Sequence, residues 1–370
     1  MIKSFILLAL LLSISSPSFG FNLGKDPSIT ERIQTLEKSK EYAAEKNHRQ
    51  YIADGEFLYW KADIDGAAYA TITTDAHIEG AVGDLSTNIK TLTPHFSYDP
   101  GFRLALGLQT SHDLFDLCLV WTRFYTEGKD RARGTLVPVI PIPDDLLIFD
   151  SIGLIHQLTS IPNTASAECR LKGNLLDLQF GRGIEMTKRH FLRPYFGLRG
   201  VWCDMDWDIS VNRDFLFPGI LDQDATVLFV RNNFRAIGGL FGLEYDLKTS
   251  SGFGITARGA GALVYGLTEE KTKQNYYYVP NGTSTIIKQP FKAGNSFHSL
   301  KGLWELFLGL FWEAQLSKKP DSQYKLRLFA GYELQQWPLI AQKTNTQSTR
   351  ERERFTLGFQ GFTGGAKLVF

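Results

Sequence analysis

The chain has 370 residues, enough for two domains or one large one. Lys plus Arg is 40 and Asp plus Glu is 39, a formal net charge of +1. That balance excludes a dedicated nucleic-acid binder, which carries a basic excess, and an acidic disordered chain. Hydrophobic residues make up 43% and aromatics 13%, with 27 Phe, 14 Tyr and 34 Gly against three Met, a profile of an all-β protein.

The one long apolar run lies at the N-terminus, Phe5 to Ile14. It is too short for a transmembrane helix, which needs about 20 apolar residues. Lys3 precedes it, and Ser18-Phe19-Gly20 places small residues at −3 and −1. This pattern predicts a signal peptide over 1–20 and a mature chain from Phe21, outside the cytoplasm. Residues 21–53 are polar and are expected to form a periplasmic, helical segment. Ser28-Ile-Thr-Glu31 fits a capping box, and Ile33 and Leu36 follow at helical spacing without a sustained heptad.

From 54 to 370 the period changes to two, and a β-barrel domain is expected. Ten strands are predicted, at 55–72, 96–109, 114–126, 170–184, 191–207, 226–247, 252–268, 300–317, 323–337 and 355–370. The eighth and ninth are the clearest. Trp304, Leu306, Leu308, Leu310 and Trp312 alternate with Glu305, Phe307, Gly309, Phe311 and Glu313. Tyr324, Leu326, Leu328, Ala330 and Tyr332 alternate with Lys325, Arg327, Phe329, Gly331 and Glu333. A soluble sandwich turns such an apolar face inward; an outer-membrane barrel turns it to lipid. Three features favour the barrel. The strands run to roughly 14–20 residues, against 5–6 in soluble sheets. Aromatics bound the apolar faces: Trp304 and Trp312 are about 26 Å apart along a strand, about 20 Å along the membrane normal after a tilt of about 40°. Small residues cluster on the opposite face.

The links alternate. Those at 110–113, 186–189, 248–251 and 318–322 are short; those near 73–95, 127–169, 208–225, 269–299 and 338–354 are long. Short periplasmic turns and long extracellular loops are the habit of outer-membrane barrels. Both termini are then expected on the periplasmic side. The fold predicted is a transmembrane antiparallel up-and-down barrel of 10–12 strands. The apolar segments Val137 to Pro143 and Leu146 to Phe149 leave two readings open: a loop folded into the lumen, or an added hairpin. The chain closes on Phe370, at the end of an amphipathic strand. Such a terminus resembles the signal read by barrel assembly machinery, a predicted partner.

Facing residues inward strand by strand gives a charged lumen. The basic candidates are Arg103, Arg193, Arg199, Arg258, Lys325, Arg327 and Lys367. The acidic ones are Asp116, Asp177, Glu244, Asp246, Glu305, Glu313 and Glu333. Such charges either line a water channel or pair across a narrow one and close it. For the first strand either face can point inward. Trp304, Trp312, Tyr324 and Phe370 are the candidate aromatic girdle.

Cys169 and Cys203 fall near the same end of adjacent strands and are candidates for a disulfide, with unpaired thiols the alternative; Cys118 is expected in the lumen. No Cys or His spacing suits a metal, and no cofactor is expected. The seven His, including His77 and His95 near Asp75, assemble no catalytic constellation. No enzyme is expected.

Two segments carry a family resemblance. One is Gly55-Glu-Phe-Leu-Tyr-Trp-Lys-Ala, continuing to Tyr69-Ala-Thr71, with Ala67 where a larger apolar residue is expected. The other runs from Tyr98-Asp-Pro-Gly-Phe-Arg103 through His112-Asp113 to Trp121-Thr-Arg-Phe-Tyr-Thr126. Together they resemble the major outer membrane protein family of Legionella and chlamydia-related bacteria. The resemblance implies a pore-forming barrel in the bacterial outer membrane and brings no catalytic residues. The expected function is passive diffusion of small hydrophilic solutes, with a structural role in the envelope. The alternative is a non-conducting surface barrel whose long loops bind a host or partner protein. Expected contacts are outer-membrane lipid and solutes, with further copies of the chain as an option and without nucleic acid.

Overall fold

In the computed structural model, residues 50–79, 84–110, 115–133, 136–138, 161–217, 220–279, 287–316, 324–344 and 352–370 are described. The expected signal peptide and most of the 21–53 segment lie outside them. Within that segment, strand already begins at Gln50.

The strands in chain order are β1 (Gln50–Asp65), β2 (Ala70–Glu79), β3 (Asp84–Leu92), β4 (His95–Phe96), β5 (Tyr98–Gln109), β6 (Phe115–Arg133), β7 (Leu136–Pro138), β8 (Ile161–Arg182), β9 (Ile184–Glu185), β10 (His190–Phe217), β11 (Ile220–Lys248), β12 (Phe253–Val279), β13 (Ile287–Gln315), β14 (Lys325–Thr344) and β15 (Arg352–Val369). Ten of them close a barrel, each antiparallel to its neighbours, in the order β1-β5-β6-β8-β10-β11-β12-β13-β14-β15 and back to β1. The two-residue strands β4 and β9 add to β6 and β10. The seam between the ends of the chain is tight. Tyr51 and Phe370 exchange both backbone hydrogen bonds, at 2.7 and 3.0 Å, and their rings stack at 5.8 Å.

Each predicted strand corresponds to one barrel strand, but the boundaries move. The first predicted strand spans 55–72; β1 ends at Asp65. Gly66 turns the chain with φ of +86°, where a Cβ would press the Phe355 ring at 3.1 Å. The residues beyond join β3 and β7 in a separate three-stranded sheet. Of the apolar 137–149 stretch, only Val137 and Pro138 are described; they belong to β7, which pairs with β2. No strand of that stretch joins the barrel among the described residues.

The long links are corrected more deeply. The links expected at 208–225 and 269–299 are mostly strand: β10 and β11 stay paired out to Phe217 and Ile220, and β12 and β13 out to Tyr278 and Ile287. Part of 127–169 is strand too, with Glu127 to Arg133 paired to Arg170 to Thr164. The physical reason is an inversion of the alternation. On β10, Phe196, Leu198 and Trp202 face outward while Arg193 and Arg199 face inward. Farther along, Asp204, Asp206 and Asp208 face outward, and Cys203, Met205, Trp207, Ile209 and Val211 face inward. The wall has left lipid for water, so polar and apolar faces exchange sides while the strand continues.

Candidate functional site

The site begins with the outer wall, because it fixes the depth of everything inside. Leu104, Leu106, Leu117, Leu119, Leu198, Ile237, Phe241, Leu263, Leu306, Leu308 and Leu310 all project from it, exposed. Trp304, Trp312, Tyr324 and Phe370 stand on the same wall, as do Tyr59, Tyr98, Trp121 and Trp202. Exposed apolar residues in this number form a belt for lipid, not a surface for water.

Behind the belt the lumen is charged. Arg103, on β5, pairs with Glu56 on β1 at 2.6 Å and with Glu333 on β14 at 2.7 Å. Arg258, on β12, reaches the other oxygen of Glu56 at 2.6 Å, from four strands away around a ten-stranded ring. Arg199 holds Asp177 at 2.6 Å and Glu305 at 3.2 Å. Arg193 donates to Asp116 at 2.7 Å and lies 3.6 Å from Glu244. Arg327 donates to both oxygens of Asp246, at 2.6 and 2.7 Å. Several of these pairs therefore brace the lumen from wall to wall. Phe307 and Phe311 lie under the guanidinium groups of Arg258 and Arg327, at 4.4 and 4.0 Å. A cavity of about 100 Å³ remains among them. Its charged lining is Arg103, Arg193, Arg199, Arg258, Arg327 and Lys367 against Asp54, Glu56, Asp177, Glu244, Glu305 and Glu333.

Above the chamber, away from the termini, the lumen turns apolar. Trp60, Phe124, Trp337 and Phe359 pack against one another with ring centroids 4.6–6.3 Å apart. All four are buried, and two further buried rings, Trp207 and Phe355, meet edge to face at 5.4 Å. Gly173 makes room for this layer: a Cβ there would fall 2.0 Å from the Phe124 ring. The two layers are joined. Arg103 lies 5.7 Å from the Trp60 ring, whose Nε1 donates to Thr363, which donates to Glu333.

The end of β14 closes over the same space. Its ladder with β13 stops at Gln336. Pro338 has no N–H to offer, and Leu339 takes φ of +56°. Ile340, Ala341, Gln342 and Lys343 are then all buried. Gln342 donates its backbone N–H to the Asn232 side chain on β11 at 3.1 Å and its amide to Glu270 on β12 at 3.0 Å.

Most of the predicted lumen charges meet in this chamber. Two do not. Lys325 is exposed at the rim near the termini. Glu313 pairs with Lys248 at 3.1 Å, beside a turn of that rim. Two central residues were missed, Asp54 and Glu56. The sequence left the facing of the first strand open, and its ladder with β15 was the missing information. The candidate disulfide is not formed: Cys169 and Cys203 are free buried thiols, as is Cys118. The register sets Cys169 opposite Trp207, four residues from Cys203, about 13 Å along the strand. A disulfide needs Cα atoms within about 7 Å.

Beyond the membrane belt, the walls carry surface ion pairs, Lys129 with Glu127 at 2.6 Å, Arg170 with Asp208 at 2.7 Å and Arg231 with Asp206 at 2.6 Å. The hydrogen bond from Lys129 holds the Glu127 carboxyl below its usual range. Past β1, burial and a hydrogen bond to Asp130 at 2.9 Å push the Tyr69 phenol up. Among the described residues no group of His, Cys, Asp and Glu is arranged to hold a metal.

Among solved structures, the chain is similar to the outer membrane protease OmpT from Escherichia coli, at 9% identity over 87% of this chain and 96% of that one, with a TM-score of 0.31. It is also similar to the toluene transporter TodX of P. putida, at 7% identity over 87% and 89%, with a TM-score of 0.27. At these values the likeness says nothing of activity. No curated protein matches the chain. Residues 45–370, which contain the whole barrel, match the family described as Legionella pneumophila major outer membrane protein precursor, and the chain belongs to that family of the outer membrane.

Proposed function

We propose that the barrel is a channel for small hydrophilic solutes, held closed in this conformation by its aromatic layer. The termini then lie on the periplasmic side, and the strand extensions stand outside the cell. The observation that carries this reading is the charged chamber at membrane depth. Burying ion pairs involves a desolvation penalty that apolar packing avoids. The same barrel fills its lumen with hydrocarbon one layer higher, so a merely structural wall had that solution available. Six cations facing six anions around the cavity suit a hydrated path with little charge preference.

The test is single-channel conductance of the refolded barrel in a planar bilayer. Arg103→Ala and Glu305→Ala are expected to change the step size. Trp337→Ala with Phe359→Ala is expected to raise the open fraction. A folded, heat-modifiable barrel giving no steps in any of these variants overturns the proposal.

The aromatic layer and the cross-lumen pairs favour one competing reading, a non-conducting barrel whose outer rim binds a host or partner protein. Absence of conductance, with loss of binding on rim deletion, supports that reading instead.

A further inference from the structure

The outer wall changes from apolar to charged along one line. At that line, register places Arg123 on β6, Asn174 on β8, Trp202 on β10 and Arg235 on β11 side by side. One step farther out, Lys172 stands opposite Tyr125, its ammonium 5.9 Å from the ring. Arg123, Lys172 and Arg235 are all exposed. Among the described residues none of the three has a carboxylate within ion-pair distance. The basic residues of the next rows, Lys129, Arg170 and Arg231, are all ion-paired. Asp204 stands opposite Lys172 in the ladder without forming an ion pair with it.

Unpaired cations beside an aromatic girdle sit at head-group depth. Three ladder steps of about 4.8 Å separate Arg123 from Arg235, about 14 Å in all, and Lys172 lies about 7 Å farther out between them. One phosphate cannot meet all three. A head group with two phosphates spaced by sugars can, each guanidinium taking phosphate oxygens in a forked pair and the ammonium acting as a point charge. Directly below, Leu176 and Ile237 expose apolar surface to acyl chains, at 39% and 64%.

We propose that the wall from β6 to β11 holds the diphosphorylated head group of a membrane glycolipid, with Arg123, Lys172 and Arg235 as its phosphate ligands. That this lipid belongs to the outer leaflet rests on the orientation proposed above; the binding itself does not.

Native mass spectrometry of the full-length barrel in neutral detergent tests it, with diphosphorylated lipid A, its monophosphorylated form and phosphatidylglycerol as probes. Tightest binding to the diphosphorylated form, not displaced by millimolar inorganic phosphate, is the expected result. The variant Arg123→Gln/Lys172→Gln/Arg235→Gln should weaken it about tenfold. The charge-matched variant Arg182→Gln/Lys188→Gln/Arg189→Gln, at the opposite rim, should leave it unchanged. Heat modifiability verifies the fold of both, and Arg235→Gln alone, expected to weaken binding severalfold, serves if the triple variant does not fold. Equal loss in the two triple variants, or equal binding of all three lipids, overturns the proposal. Protease accessibility of the long-stranded rim in whole cells reads orientation separately.

Discussion

Arg199 holds both Asp177 and Glu305 with its side chain 3% exposed. Its removal leaves two carboxylates in a narrow lumen with their nearest cation gone. Breaking a buried pair from one side costs about 3–5 kcal/mol, far more than the 0–1 kcal/mol of a surface pair. Arg199→Met is therefore expected to lower the unfolding free energy of the barrel in urea by that amount, read by the heat-modifiable band. A change under about 1 kcal/mol means that water reaches the pair and screens it. The same scale accounts for what was legible in the charges. Arg103, Asp116, Asp177, Arg193, Glu244, Arg258, Arg327 and Glu333 could be faced inward from alternation alone. Which of them meet could not, because Arg258 and Glu56 are 202 positions apart and touch only across the closed ring.

The elements divide where their two faces exchange character. On β8 and β10, Gly173 lies opposite Cys203 in the ladder, and Phe124 of β6 covers Gly173 from inside. The Phe124 ring occupies the space a Cβ would need. Gly173→Ala is expected to destabilise the barrel by about 1–3 kcal/mol, the usual range for overpacking. Phe124→Leu should restore much of that loss, and a double-mutant cycle in urea checks it. Additive effects would mean that the glycine matters for some other reason. The strand extensions hid from the sequence for a related reason. In the sequence a membrane strand shows itself by its apolar outward face. Asp204, Asp206 and Asp208 ended that signal on β10, although Met205, Trp207 and Ile209 continued the same strand on the inner side.

The whole molecule depends on one seam. Tyr51 and Phe370 close the ring through two backbone hydrogen bonds and a ring stack. Phe370→Ala keeps the backbone pair and removes the stack, so refolded barrel is expected to lose only about 1 kcal/mol. If the terminal Phe is also what assembly machinery reads, the level in the outer membrane of cells will fall much further than that loss explains. Comparing urea midpoints in vitro with outer-membrane yield separates the two; parallel changes would sink the recognition role.

The sequence by itself determined the ten amphipathic strands, the outward apolar belt with Trp304 and Trp312, and the charged character of the lumen. These are local properties: a period of two, read within one strand, needs no partner. Only the tertiary structure decided the facing of β1, which brings Asp54 and Glu56 into the chamber, and the inward turn of Ile340 to Lys343. It alone kept Cys169 and Cys203 apart and set aromatic side chains from β1, β6, β14 and β15 into one layer. Those facts depend on register and ring closure, which join residues far apart in the chain and leave no periodic mark on any single segment.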